Sequence, residues 1–139
     1  MTTLTKKAIN DLTYELVGAA IHVHKSLGPG LLESIYHECM KIELTDRGIQ
    51  FDTELKVLIE FNDRQLETVL KCDLFVEKCI VIELKAIKEL IPVNEAQLMT
   101  YMKLLNAPKG ILINFNCFHL FKEGQKTYVN EYYRSLPES

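Results

Sequence analysis

Two short segments constrain this chain more than any other feature. In the stretch from Val69 to Val76 the even positions Leu70, Cys72, Leu74 and Val76 are all apolar, and from Ile80 to Ala86 so are Ile80, Ile82, Leu84 and Ala86. The odd positions carry Lys71 and Asp73 on the first segment and Glu83 and Lys85 on the second. A period of two marks a strand with one face on a core, and Glu77-Lys78-Cys79 is a connection of hairpin length. Residues directly opposite in an antiparallel pair share a face, so the two apolar faces must coincide. That register sets Asp73 opposite Glu83, with Cβ atoms about 4.5 to 5.5 Å apart. It also places Lys85 alongside and turns Cys72 and Ile82 to the opposite, buried face.

The segments around this hairpin supply the other layers. Leu12, Leu16, Ala19 and Val23 recur at helical spacing from about Asp11 to Leu27, and Gly28-Pro29-Gly30 ends that run. A second helix is expected from Leu31 to Arg47, with Leu32, Ile35, Cys39, Ile42 and Leu44 as its apolar side and Gly48 beyond its end. Phe51 to Phe61 alternates as a strand with one wet face, Asn62-Asp63-Arg64 is turn chemistry, and the next strand starts near Leu66. After Pro92, Asn94 and Gln97 resemble a capping box opening a helix that ends near Asn106-Ala107-Pro108. Ile111 to Phe115 reads as a short strand, and Phe118 to Phe121 with Thr127 to Val129 as a final hairpin. The order is ααβββαβ, an α/β layered fold, and 139 residues suit a single domain over 1–139.

Composition narrows the partners. Apolar residues at 47% and charged residues at 25% fit a folded globular chain. Sixteen Lys and Arg against nineteen Asp and Glu give a net charge of −3, so no global basic field advertises a polyanion surface. A nucleic acid would have to be held by a local patch or through metal ions. No apolar run approaches the roughly 18 residues of a membrane span or resembles a signal peptide, which predicts a cytoplasmic protein with no membrane partner. Cys39, Cys72, Cys79 and Cys117 show no metal-ligand spacing and read as reduced.

Two carboxylates and a lysine on one strand face suit a hard divalent cation with an activated water. Carboxylate oxygens bind Mg²⁺ or Mn²⁺, the metal lowers the pKa of bound water, and the ammonium orients that water or meets developing charge. A solvated outer face with a surface Lys–Glu pair is the alternative on the residues alone.

Asp73 followed by Glu83-Leu84-Lys85 resembles the D…ExK signature of the PD-(D/E)XK nuclease superfamily, whose common core is an αβββαβ arrangement. Gly30-Leu31-Leu32-Glu33-Ser34-Ile35-Tyr36 is similar to the G-x-x-E-x-x-Y string of that superfamily's GxxExxY branch. Val81 to Ala86, Glu95-Ala96-Gln97-Leu98 with Tyr101, and Gly110 to Phe115 resemble its further blocks, over about residues 12 to 130. The resemblance implies a restriction-endonuclease-like core, a mixed sheet flanked by helices, and a Mg²⁺- or Mn²⁺-dependent nuclease. It implies Asp73, Glu83 and the Leu84 carbonyl as metal ligands, with Glu33 completing the site directly or through water. Lys85 would orient water, and Gln97 and Tyr101 would position the substrate strand. Asn94 stands where family members often carry His, and Glu54 where they often carry Gln.

Other readings attach to the same residues. Glu33 suits a first-turn position in the helix dipole, Gln97 suits a capping box, and Tyr36 and Tyr101 suit packing with a bonded hydroxyl. His24 and His37 lack metal-ligand partner spacing and read as packed or surface histidines. Lys56, Arg64 and Lys71 suit phosphate contacts or a solvated face. The rival to a nuclease is a catalytically silent binding or scaffold module on the same fold, acting as a homodimer.

Overall fold

The computed structural model describes residues 4–139. Helices α1 (Lys6–Leu27) and α2 (Glu33–Asp46) lead into strands β1 (Phe51–Phe61), β2 (Arg64–Val76) and β3 (Ile80–Lys85). Helix α3 (Pro92–Leu104), strand β4 (Lys109–Asn114), one helical turn at Leu120–Gly124, strand β5 (Gln125–Val129) and the short α4 (Glu131–Arg134) complete the order. The sheet runs β1-β2-β3-β4-β5; β3 and β4 are parallel and every other neighbour pair is antiparallel. This is the mixed sheet flanked by helices that the resemblance implies, in the α/β order read from the sequence.

Both faces of the sheet are covered. Leu74, Val76, Ile80, Ile82, Leu84, Ile111 and Ile113 pack against Leu16 and Val23 of α1 and Tyr36, Met40 and Leu44 of α2. On the other side Phe75, Val81 and Leu112 meet Leu98 and Met102 of α3. At Gly110 a Cβ would stand 2.6 Å from Met102 Sδ, so this glycine lets α3 lie directly on β4. Covering both faces removes the solvated outer face that stood as the alternative for β3: Ile80 to Leu84 are all buried.

Four expectations are corrected. α1 begins at Lys6, because Thr5 caps it by accepting the Ala8 N–H at 3.0 Å. In α2 the buried stripe is Tyr36, Met40 and Leu44; of the expected apolar side Leu44 is buried and Cys39 packs partly on the core, whereas Leu32, Ile35 and Ile42 are exposed. The helix carries two apolar stripes, and the sheet takes the one whose spacing is four residues. α3 begins at Pro92, with Asn94 as the third helical residue; its Oδ1 accepts the Ile91 N–H at 2.9 Å, which leaves Gln97 outside any cap. The segment from Phe118 to Phe121 pairs with nothing in a hairpin, since Leu120–Gly124 coils and β5 pairs with β4 instead.

Candidate active site

The β2–β3 register is the one the apolar pattern dictates: Leu74, Phe75 and Val76 stand opposite Ile82, Val81 and Ile80. One step further, at Asp73 and Glu83, the ladder ends. The cause lies on the other edge of β2, where β1 advances from Asp52 to Glu54 while β2 retreats from Phe75 to Lys71. β2 therefore bulges through Cys72, Asp73 and Leu74, as strands often do beside functional sites. The bulge overturns one expected placement. Cys72 packs with Phe75 and Val81 on the α3 side, while Ile82 faces α1 and α2.

The bulge also frees Asp73 to reach across. Its Oδ2 accepts the Leu84 backbone N–H at 2.6 Å, and the carboxylate lies within hydrogen-bonding reach of Glu83. In a strand, N–H and C=O of one residue point the same way, so the Leu84 carbonyl faces the same opening. Glu83 is 4% exposed, and its Oε1 is buried with no hydrogen-bond partner. Burial first, and then the neighbouring Asp73 carboxylate, push the Glu83 carboxyl well above its ordinary value, opposed by Lys85. Lys85 is half-buried at the end of β3, where its carbonyl accepts the Phe115 N–H at 2.9 Å.

α2 delivers Glu33 to this place through the loop before it. Gly28 and Gly30 take left-handed φ values of 71° and 97°. The Tyr36 hydroxyl ties that loop down by donating to the Gly28 carbonyl and accepting the Leu31 N–H at 3.2 Å, its ring stacked on Phe115. Glu33 thus opens α2 with its carboxylate 3.6 Å from His37 Nε2, and the same nitrogen stands 3.6 Å from Asp73 Oδ2. The carboxylates of Glu33 and Asp73 are therefore within twice that distance of each other. His37, read from the sequence as a packed or surface histidine, instead has its Nε2 buried between two carboxylates without a hydrogen-bond partner. The available signal was its position one helical turn after Glu33. His24, by contrast, is a packed histidine bonded to the Cys117 carbonyl at 2.7 Å.

α3 closes the other side. Gln97 Nε2 donates to the Tyr101 hydroxyl at 3.1 Å, and burial and the nearby Glu83 charge raise the Tyr101 phenol above its ordinary value. The Cys72 thiol beneath is pushed up to about 12 by burial, then by Glu83 and Asp73, which leaves it unreactive.

Among the described residues no three His, Cys, Asp or Glu side chains are gathered closely enough to enclose an ion. The donors converge as a carboxylate pair beside a backbone carbonyl. Such an open set suits Mg²⁺, which keeps several waters and takes one or two carboxylates, better than it suits an all-protein cage. An orphaned, buried carboxylate oxygen is the feature a cation would satisfy.

The family described as the PD-(D/E)XK nuclease superfamily matches residues 10–127. The crystal structure of SSO0001 superposes with a TM-score of 0.56 at 19% identity, over 93% of this chain. This chain spans 66% of that protein's length. At that identity the likeness concerns the fold. No curated protein matches the chain. No helix among the described residues is long and apolar enough to cross a membrane.

Proposed function

Because the chain belongs to the PD-(D/E)XK nuclease superfamily, we propose that it hydrolyses phosphodiester bonds of nucleic acid with Mg²⁺ or Mn²⁺ held by Asp73 and Glu83. The observation that carries this reading is the Glu83 carboxylate, buried beside Asp73 with one oxygen lacking any partner. A buried carboxylate in that position takes a proton or a cation. The Leu84 carbonyl is the third donor, and Glu33 completes the set from α2, directly or through water. The cation supplies charge neutralisation at the phosphate and an acidified water.

The chain's own residues do the rest. Asp73 is fixed by the Leu84 N–H through one oxygen, and the other is the candidate cation ligand. Lys85, two residues beyond Glu83 on the same strand face, supplies an ammonium for the attacking water or for charge developing on the phosphate. Gln97 and Tyr101, bonded to each other on α3, line the approach and position the substrate strand. The finer assignment to the GxxExxY branch is supported by Gly30, Glu33 and Tyr36, which respectively turn the loop, face the site and lock the loop.

Incubation with labelled single- and double-stranded DNA and RNA, with Mg²⁺, Mn²⁺ or EDTA, tests the proposal. Cation-dependent cleavage that Asp73→Asn and Lys85→Ala abolish is expected. No cleavage of any of the four contradicts it and favours the silent module, and cleavage that survives EDTA contradicts the role of the cation.

A further inference from the structure

Beyond the bulge, β1 and β2 run on as a two-stranded arm that pairs with no other strand: Glu54 to Phe61 stand opposite Lys71 to Arg64. The arm ends in the two-residue turn Asn62-Asp63, both at positive φ (51° and 61°). Such a turn makes the flanking pair Phe61–Arg64 a hydrogen-bonded one. Alternation then directs the N–H and C=O of Phe61, Ile59, Val57 and Leu55 at β2, and those of Glu60, Leu58, Lys56 and Glu54 at the outer edge. β1 is the first strand of the sheet. Among the described residues no backbone group outside β2 bonds to residues 53–61. That edge is long and free of proline; its exposed side carries Glu54, Lys56, Leu58 and Glu60, with Leu58 58% and Phe61 72% exposed. A long row of unpaired N–H and C=O groups is a template for pairing with another chain, and an isolated two-stranded ribbon is marginal in water.

The order of side chains along this edge identifies its occupant. Read outward from Leu58, the sequence is self-complementary: Val57 and Ile59, then Lys56 and Glu60, then Leu55 and Phe61. We infer that β1 pairs antiparallel with β1 of a second copy of this chain, with Leu58 opposite Leu58 of the partner subunit. In that register Lys56 faces the partner's Glu60 and Glu60 faces the partner's Lys56, both on the exposed side. Val57 faces the partner's Ile59 and Leu55 the partner's Phe61 on the other side. Every residue facing its counterpart in the hydrogen-bonded positions is one whose backbone groups point outward. Centring the pair on Lys56 or on Glu60 instead sets like charges against each other, which destabilises a sheet. The two-fold axis of such a pair is perpendicular to the sheet, so both copies of α3 lie on one face of a continuous ten-stranded sheet.

The inference is independent of the phosphodiesterase reading, and sedimentation velocity on the intact protein tests it over a micromolar concentration series. The wild type is expected to sediment at twice the 16.0 kDa chain mass. Lys56→Glu and Glu60→Lys should each weaken the dimer about ten-fold or more, since each turns two attractive cross-strand pairs into repulsive ones. The double variant Lys56→Glu/Glu60→Lys should recover the wild-type dissociation constant. Leu58→Pro removes only an outward N–H and should also give monomer, with thermal melts checking that each variant is folded. A wild type that stays monomeric, or a dimer indifferent to the charge changes, overturns the inference.

Discussion

Asp73 Oδ2 accepts the Leu84 backbone N–H at 2.6 Å, so a side chain stands where the next rung of the β2–β3 ladder would be. The bulge that lifts Asp73 out of register thereby keeps β3 satisfied and aims the carboxylate at Glu83. Asp73 is at once a structural acceptor and a candidate cation ligand. Its replacements should separate the two roles.

Asp73→Asn retains an acceptor for Leu84 and removes a like charge beside Glu83, so the cation-free protein should be as stable as wild type or more so. Asp73→Ala leaves the Leu84 N–H unsatisfied and should cost about 1–3 kcal/mol. Urea denaturation in EDTA distinguishes them; equal stability of the two variants would mean that the hydrogen bond contributes nothing.

Stability without a cation should fall as pH rises. The folded-state value of Glu83 is raised from the ordinary 4.5 by burial and Asp73. Above 4.5 the folded state therefore retains a proton that the unfolded chain has lost. The contribution is fully present below the ordinary value and is lost as pH climbs through the raised one. Melting temperatures in EDTA between pH 5 and pH 8 should decline for the wild type, and Glu83→Gln should flatten that part of the slope. Bound Mn²⁺ should oppose the decline, because ligation displaces the proton.

The hairpin register was legible because all-apolar even positions on both strands leave one face-matched pairing, and Leu74, Phe75 and Val76 obey it. The bulge was not, since nothing in Lys71-Cys72-Asp73-Leu74 marks an extra pair of residues; Cys72 changed sides in consequence. α2 misled for another reason. Leu32, Ile35, Cys39 and Ile42 lead to Leu44 by as good a helical stripe as Tyr36 and Met40 do, and only the position of the sheet chooses between them. Asp73, Glu83, Lys85 and Glu33 were singled out as candidates through motif spacing, whereas the place of His37 between Glu33 and Asp73 emerged only when α2 was set against β2.

That choice of stripe has its own test. Met40→Ala should cost about 2–5 kcal/mol, as for a fully buried side chain, and Ile42→Ala should stay within about 0.5 kcal/mol. Chemical denaturation of both variants checks it, and a reversed order would put the wrong face of α2 on the sheet.

Glu33 and Tyr101 should differ in what they affect. Glu33→Gln should weaken Mn²⁺ binding about 10- to 100-fold without abolishing it, as for a group supporting a ligand through a neighbour. Tyr101→Phe, which loses the bond from Gln97, should leave Mn²⁺ affinity unchanged and lower the cleavage rate. Calorimetric titration beside the cleavage assay separates these outcomes; a Tyr101→Phe that loses the cation would place the tyrosine in the metal site.

The most direct test of the Asp73–Glu83 site is a set of thermal melts on wild type, Asp73→Asn and Glu83→Gln, each in EDTA and in millimolar Mn²⁺. The wild type should gain about 2.7 kcal/mol at a hundredfold excess over Kd, read as a rise in melting temperature. Both variants should show no cation-dependent rise. An equal rise in all three proteins would contradict the account, because the cation would then be held elsewhere.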